Sequence, residues 1–225
     1  MAKLPAQTEI IDCRRCPRLV TYREDVARTK VRRFMDWDYW GRPVPSLGSL
    51  DARLLVIGLA PAAHGGNRTG RIFTGDRSGD WLYRALHRFG FANQPTSTDR
   101  RDGLKLIDSY ITAAVHCAPP DNKPLPSEFK NCRPYLLDEM QRLMKVRVVV
   151  ALGLIGFKAY LGARKELGWQ NPSPMPPFGH GLSAKLPDGI TIISSYHPSQ
   201  QNTHTGKLTE EMFDEVFRKA RKILI

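Results

Sequence analysis

The stretch Leu54-Leu55-Val56-Ile57-Gly58-Leu59-Ala60-Pro61-Ala62 decides the fold of this chain. Its first four residues are all apolar, and a short apolar run without polar alternation predicts a strand that is buried on both faces. The glycine and the proline that follow end the strand and open a loop. Similar apolar runs occur farther along the chain, at Tyr110–Val115, Val146–Leu152 and Ile190–Ser195.

Segments with helical periodicity lie around these strands. They cover Pro17–Arg33, Asp80–Phe89, the segment from Ser127 to about Met144, Gly153–Leu161 and the segment after Thr209, with Asp80, Ser127 and Thr209 as predicted caps. This alternation predicts an α/β protein with three α/β/α layers and a central, mainly parallel four-stranded sheet. We expect a single domain over residues 1–225. Its sites are expected in the loops that leave the carboxyl ends of the strands.

The chain carries a large excess of positive charge. Its 225 residues include 34 Lys and Arg against 22 Asp and Glu, for a formal net charge of +12. The hydrophobic fraction of 41% is that of a folded protein and excludes a fully disordered chain. The charge favours a polyanionic partner, most often a nucleic acid, over a basic surface that only maintains solubility.

The sequence contains no predicted membrane or export segment. No apolar run reaches the roughly 20 residues that a membrane span requires. Met1–Ile10 has no apolar stretch between a basic start and a small-residue cleavage site, so no secretory signal is predicted. We therefore expect a cytoplasmic protein with no membrane partner.

Four cysteines form the first candidate site. Cys13 and Cys16 have the C-x-x-C spacing of metal ligands, whereas Cys117 and Cys132 are widely separated. A four-cysteine metal site is predicted, and the irregular spacing favours an iron–sulfur cluster over zinc, because each thiolate of a [4Fe–4S] cube binds a different iron. A redox-active pair and ordinary buried cysteines are the alternatives.

The loop after the first strand is rich in glycine. Gly65 and Gly70 have the spacing of a phosphate-binding loop, but Arg71 and Ile72 occupy the positions of its lysine and hydroxyl residue, which excludes a nucleotide hydrolase of that class. Phe73 could stack on a ligand and Asp76 could act near a reacting centre. The simpler interpretation is a core phenylalanine and an aspartate at a helix start.

Two later loops each supply one polar side chain. Prolines surround Asn122, whose amide can both donate to and accept from a base edge, although an asparagine in a loop is most often a turn residue. His197 leaves a buried strand at the expected site edge and is followed by Pro198. That position favours a histidine that faces a ligand over one in the core.

Taken together, these loops resemble the uracil-DNA glycosylase superfamily, in its iron–sulfur branch called family 5 or type B. Gly58-Leu59-Ala60-Pro61-Ala62 is similar to the first motif of the superfamily, and His197-Pro198-Ser199 is similar to the last. The run from Ala63 to Arg71 resembles a segment typical of family 5. The resemblance extends from Cys13 to the final helix.

The resemblance implies a set of functional residues. The implied catalytic residues are Asp76 and His197, the implied base-binding residues are Leu59, Ala60, Phe73 and Asn122, and the implied ligands of a [4Fe–4S] cluster are Cys13, Cys16, Cys117 and Cys132. That cluster would staple residues 1–50 to the core. Polar residues near the site loops are predicted to contact DNA: His64, Arg68, Arg71, Arg77, Ser199, Gln200, Gln201 and Lys207, with Gln200 and Gln201 as candidates for insertion into the base stack.

One departure from the superfamily concerns the first motif. Other branches carry Asp, Glu or Asn there, whereas Leu59 and Ala60 are apolar. Family 5 also lacks a polar residue in this motif, and the resemblance implies that Asp76 supplies the missing carboxylate. Asp80 is the competing carboxylate.

The implied function is that of a monofunctional DNA glycosylase. It would flip uracil, and also hypoxanthine or xanthine, out of double-stranded DNA, hydrolyse the N-glycosidic bond and leave an abasic site. The alternative is a non-enzymatic iron–sulfur or zinc DNA-binding module, in which Asp76 and His197 are structural. A zinc nuclease or deaminase is a second alternative. The sequence lacks the His-x-Glu and Pro-Cys-x-x-Cys pattern that such a deaminase requires. We expect a nucleoid-associated monomer with no nucleotide cofactor.

Overall fold

The computed structural model describes residues 7–225, in which helices and strands alternate. The helices are α1 Gln7–Ile11, α2 Pro17–Thr29, α3 Gly66–Thr69, α4 Arg77–Arg88, α5 Pro126–Arg142, α6 Gly153–Glu166, α7 Gln200–His204 and α8 Glu210–Leu224. The strands are β1 Leu47–Gly48, β2 Leu54–Gly58, β3 Ser109–Ala113, β4 Val148–Leu152, β5 Ser183–Lys185 and β6 Thr191–Ser195. Short 3₁₀ turns cover Arg32–Phe34 and Pro120–Asn122.

The strands form one sheet in the order β1-β3-β2-β4-β6-β5. The four central strands are parallel, with β2 between β3 and β4 and with β6 next to β4. These are the four predicted strands, so the predicted mainly parallel sheet is confirmed. Because all four run in the same direction, the loops that follow β2, β3, β4 and β6 leave the sheet at one edge.

Helices cover both faces of the sheet. Side chains along a strand alternate between its faces, so Leu54 and Val56 pack in one core cluster with residues of α4 and α8. Leu55 and Ile57 pack in the second cluster with residues of α5 and α6. The three-layer α/β/α architecture is therefore confirmed. Within residues 7–225, no helix combines the length and the apolar character that crossing a membrane would require.

The structure corrects the predicted sheet size and several helix boundaries. The sheet has six strands rather than four, because β1 and β5 add short antiparallel edges to β3 and β6. Strands of two and three residues are too short for a hydrophobic period. The helix predicted over Pro17–Arg33 ends at Thr29, where Lys30 adopts a left-handed φ of 54°.

Two predicted helix caps are also wrong. Ser127 lies inside α5, and the backbone N–H of Leu125 donates to the carboxylate of Glu128 at 2.6 Å, which satisfies the start of that helix. Asp80 lies in the first turn of α4, whereas Asp76 is the residue that caps it. The predicted cap at Thr209 is confirmed, because its side chain accepts a hydrogen bond from the backbone N–H of Met212 at the start of α8.

Candidate active site

A cleft of about 400 Å³ lies at the carboxyl edge of the sheet. The loops after β2, β3 and β6 and the start of α4 contribute its walls. It brings together both predicted catalytic residues, all four predicted base-binding residues and several predicted DNA contacts: Leu59, Ala60, Phe73, Asp76, Arg77, Asn122, His197, Ser199 and Gln200. Segments up to 140 residues apart in sequence thus meet in one place because parallel strands end at the same edge.

Phe73 forms an aromatic wall of the cleft. Its backbone adopts a left-handed φ of 52°, which is rare for a bulky residue and marks a conformation held by the surrounding structure. A Cβ atom on Gly58 would lie 2.6 Å from Cζ of Phe73, so glycine at the end of β2 is what admits the ring. The Phe73 and His197 rings lie in a stacked arrangement, with centroids 6.1 Å apart and planes inclined by 29°.

The two carboxylate oxygens of Asp76 have different neighbours. Its Oδ1 accepts a hydrogen bond of 3.0 Å from the backbone N–H of Gly79, which caps α4. Its Oδ2 lies so close to Gly65 that a Cβ there would come within 2.2 Å of it. Burial raises the pKa of Asp76 and the charge of Asp80 adds to this, while the backbone N–H groups of Gly79 and Ser78 act in the opposite direction.

Asp80 is placed differently from Asp76. It is exposed, and it is not among the described residues that line the cleft. Burial raises its pKa and Arg77 opposes that rise. On geometry, Asp76 is therefore the carboxylate that faces the candidate site.

His197 faces the cleft in its neutral form. Burial lowers the pKa of its imidazole to about 4, so the ring is uncharged near pH 7. The side-chain amide of Asn202 donates to the backbone carbonyl of His197 at 2.9 Å, and this bond fixes the loop that carries the ring. Within the described part of the chain, the two ring nitrogens make no hydrogen bond, which leaves them available to a ligand.

Asn122 lies on a tight turn that borders the cleft. Asp121 and Asn122 both have left-handed backbones, with φ of 53° and 55°. The exposed Asn122 lines the cleft and also an adjoining chamber of about 300 Å³, which Tyr22, Arg33 and His64 border as well. The turn therefore places Asn122 at the border of both cavities, and its role in base binding stays a prediction.

Two of the predicted DNA contacts are buried instead. Arg68 is only 3% exposed, and its guanidinium lies between the rings of Phe34 and Trp37, at 3.8 and 4.0 Å from their centroids. Arg71 is 6% exposed and pairs with Asp102 at 2.7 Å. Burial of both guanidiniums disfavours a phosphate contact, and the DNA-contact role of these two arginines stays a prediction.

The remaining predicted DNA contacts are more accessible. Gln200, Gln201 and Lys207 are exposed on or just beyond α7, which Ser199 caps by accepting from the backbone N–H of Asn202. The ammonium of Lys207 lies 5.0 Å from the Tyr196 ring. Of the exposed residues, Gln200 and Arg77 line the cleft. Arg77 also donates to the Thr203 hydroxyl at 3.0 Å. His64 is set deeper and contacts the hydroxyl of Tyr39 at 3.1 Å.

The four cysteines line a second, small cavity. Cys13 and Cys16 precede α2, Cys117 follows β3, and Cys132 lies on α5. Three of the sulfurs accept hydrogen bonds: Cys117 from Arg23 at 2.9 Å, Cys132 from the backbone N–H of His116 at 3.3 Å, and Cys16 from Asn131 at 3.5 Å. Four sulfurs facing one cavity with N–H donors around them suit a thiolate-bound metal centre.

The spacing of these sulfurs bears on the kind of metal centre. Across residues 7–225, no group of three or more His, Cys, Asp or Glu side chains is arranged to hold a single metal ion. The thiolates of a cube bind separate irons, so they are spaced more widely than the ligands of one ion. The donor set is thus compatible with a cluster.

Sequence reasoning missed two residues that shape these sites. Gly65 leaves room for the Asp76 carboxylate, and only the folded contact reveals it. Arg23 is 2% exposed and donates to the Cys117 sulfur. The helical phase could have identified Arg23, because it follows the buried Leu19 by four residues and so lies on the same face of α2.

Comparison with known proteins identifies the family. The profile of the Uracil DNA glycosylase superfamily matches residues 45–221. A type-5 uracil-DNA glycosylase of Mycobacterium bovis is 53% identical over 212 residues, which cover 94% of this chain and 78% of the relative. The type-5 uracil-DNA glycosylase of Thermus thermophilus is 49% identical, covering 94% of this chain and 93% of the relative.

A relative of another type matches much less of the chain. The type-4 uracil-DNA glycosylase of Pyrobaculum aerophilum is 33% identical over 132 residues, which cover 57% of this chain and 59% of the relative. The type-5 relatives therefore match over a longer range and at higher identity. The chain belongs to the uracil-DNA glycosylase superfamily and, within it, to the type-5 family.

Proposed function

We propose that this chain excises uracil from DNA as a monofunctional glycosylase and leaves an abasic site, in keeping with the names of its type-5 relatives. The observation that carries the proposal is the single cleft in which an aromatic ring, an amide, a neutral imidazole and a carboxylate converge. No lysine is among the described residues that line this cleft, in keeping with hydrolysis by water rather than a covalent amine intermediate.

Base recognition requires the target nucleotide to leave the duplex. Flipping costs a few kcal/mol, and least for a mispaired base. In the cleft the flipped base would stack on Phe73, while the amide of Asn122 and the backbone of Leu59 and Ala60 would contact its polar edge. The left-handed turn at Asn122 holds the backbone of this residue at the cleft before the base arrives.

Cleavage places negative charge on the base and positive charge on the sugar. As the N-glycosidic bond breaks, its electron pair moves to the leaving base, whose carbonyl oxygen would accept a hydrogen bond from His197. The neutral imidazole keeps one ring N–H, which can donate this bond. Asp76 would stabilise the cationic sugar, orient the water whose oxygen bonds to C1′ and accept the proton that this water releases, while the departing base takes a proton from solvent.

Exposed polar residues at the mouth would hold the DNA. Arg77 and Lys207 are candidates for phosphate contacts, and Gln200 and Gln201 for filling the gap that the flipped nucleotide leaves. A positively charged mouth offsets part of the flipping energy, because neutralised phosphates release counterions. DNA is thus the proposed partner, bound as a duplex by a monomer.

The four cysteines would hold a [4Fe–4S] cluster. Cys13, Cys16, Cys117 and Cys132 are the proposed ligands, and N–H donors contact three of their four sulfurs, as around thiolate ligands of a metal centre. When bound, such a cluster would act as a structural cross-link between α2, the loop after β3 and α5. We propose no step of the reaction at the cluster.

The proposed substrate range extends beyond uracil. Leu59 and Ala60 supply no carboxylate or amide side chain, so a base with a different polar edge leaves few groups of the site unpaired. Hypoxanthine and xanthine are the further proposed substrates. Excision assays on duplexes that carry each base test this range, and activity on uracil alone would refute it.

One experiment separates the enzyme from a DNA-binding module. The His197→Gln variant is compared with the wild type in single-turnover excision of uracil and in equilibrium binding of the same duplex. Loss of a hydrogen bond to the leaving base predicts a rate about 10²- to 10³-fold lower with binding nearly unchanged. No excision by the wild type, with tight duplex binding, would favour the module.

A further inference from the structure

Arg23 makes two separate contacts with the four-cysteine cavity. One terminal nitrogen donates to the Cys117 sulfur at 2.9 Å. Both terminal nitrogens also donate to the backbone carbonyl of Cys13, each at 3.2 Å. A planar guanidinium on α2 therefore joins the C-x-x-C segment to the cysteine that follows β3.

Few negatively charged groups among the described residues lie close enough to compensate the positive charge of Arg23. The side chain is 2% exposed, and the nearest carboxylate of the described chain is that of Glu24, 3.8 Å from its terminal nitrogen. Glu24 is itself 44% exposed and already pairs with Arg14. A buried cation requires an anionic partner, and the facing sulfurs can supply that charge as thiolates.

The backbone carbonyl of Arg23 is hydrogen-bonded to the short helix α3. Its carbonyl oxygen accepts a hydrogen bond of 3.1 Å from the side-chain amide of Asn67, and both partners are buried. Asn67 belongs to the short helix α3, which begins directly after Gly65, the residue packed against the Asp76 carboxylate. Arg23 therefore contacts the cysteines through its side chain, and its peptide carbonyl contacts α3, the helix that follows Gly65.

We propose that Arg23 is a positioning residue that joins the cysteine-bound cluster to the loop facing Asp76. Its guanidinium compensates the negative charge of the cluster and its ligands, and its peptide carbonyl anchors Asn67. The proposal rests on the cluster assigned under the proposed function. It gives the cluster a second connection to the cleft, in addition to the loop that carries Cys117 and Asn122.

The first test measures the cluster itself. Holoprotein carrying Arg23→Gln, Arg23→Lys or the control Arg14→Gln is mixed with an iron chelator, and the loss of visible absorbance is followed. Arg14 is a suitable control, because it lies beside the same segment but donates to Glu24 rather than to a sulfur. Loss of a charge-assisted hydrogen bond predicts bleaching about tenfold faster or more for Arg23→Gln, and an intermediate rate for Arg23→Lys, which keeps the charge.

A second readout on the same proteins is the midpoint reduction potential of the cluster. Removing a nearby positive charge disfavours the more negative, reduced cluster, so the Arg23→Gln potential is expected to fall below that of Arg14→Gln. Equal bleaching rates and equal potentials in the three proteins would overturn the role of Arg23. An iron-free, colourless wild type would instead refute the cluster, while uracil excision by that protein would leave the glycosylase function standing.

The link to the cleft has its own test. The Asn67→Ala variant removes the contact with the Arg23 carbonyl but leaves every sulfur contact in place. We expect wild-type bleaching and potential together with a single-turnover excision rate several-fold lower, measured below the melting temperature. An unchanged excision rate would overturn the connection to the cleft.

Discussion

Replacing Asp76 with asparagine separates its helix cap from its proposed catalytic role. Asparagine caps helices about as well as aspartate, so the bond to the backbone N–H of Gly79 can persist. The free energy of unfolding should therefore change by less than about 0.5 kcal/mol. The negative charge beside the sugar is lost, and preorganised electrostatic groups of this kind contribute about 10²- to 10³-fold to catalytic rates. A rate fall of that size with a stable fold is the expected result.

Two further variants provide the controls for this change. Asp76→Ala removes the cap as well as the charge and should cost about 1 kcal/mol more stability than Asp76→Asn. Asp80→Asn removes the neighbouring carboxylate, which is exposed on the first turn of α4. Because Asp80 is not among the described residues lining the cleft, we expect the excision rate of Asp80→Asn to stay within about twofold of the wild-type rate.

The assay is single-turnover excision with excess enzyme on a uracil-containing duplex, with alkaline cleavage of the abasic site as the readout. Chemical denaturation of each variant supplies the free energy of unfolding. If Asp80→Asn abolishes excision while Asp76→Asn remains fast, the placement of the essential carboxylate is refuted. Equal losses in Asp76→Asn and Asp76→Ala, with only the latter destabilised, would confirm that the charge rather than the cap drives the reaction.

Further predictions concern the aromatic wall, the histidine, the cluster and the DNA contacts. Gly58→Ala places a Cβ 2.6 Å from Cζ of Phe73, so the ring must move: we expect a cost of about 1–3 kcal/mol in unfolding and an excision rate about tenfold lower. His197 has a pKa lowered from 6.5 to about 4, so the unfolded chain binds the proton first as the pH falls through this window. The wild type should lose up to about 3 kcal/mol of unfolding free energy there, a loss that His197→Gln lacks. Cys117→Ala should lose iron, stability and excision together, and an active, colourless and equally stable variant would contradict the cross-linking role. Lys207→Ala should reduce the slope of log affinity against log salt by about 1, if this lysine contacts a phosphate.

The central strands and the cleft could be predicted because burial leaves a clear pattern in the sequence. Four apolar runs mark the parallel strands, and the common direction of these strands brings Phe73, Asn122 and His197 to one edge. The edge strands could not be predicted in the same way. Leu47–Gly48 is held by its pairing with Ile111 and Tyr110 on β3, a contact between distant segments that a local pattern does not contain.

The burial of individual arginines could not be predicted from charge alone. Arg68 lies in a stretch of sequence rich in glycine and polar residues, which is the composition of an exposed segment. Its burial depends on Phe34 and Trp37, more than thirty residues earlier, whose rings both pack against the guanidinium. Arg71 is likewise neutralised by Asp102, which lies in a different loop. The net charge of +12 therefore overstates the charge that can reach DNA.

Asp76 explains how this fold holds a carboxylate in a partly buried cleft. The sequence allowed two interpretations, a helix-start aspartate and a site residue, and the structure combines them, since the cap is what fixes the side chain. Burial alone would favour the neutral acid, which neither stabilises a cation nor accepts a proton from water. The backbone N–H groups of Gly79 and Ser78 at the positive end of α4 counteract that tendency and favour the ionised form. The helix start thus supplies both the position and part of the charge stabilisation, so an apolar first motif at Leu59 and Ala60 does not leave the site without a usable carboxylate.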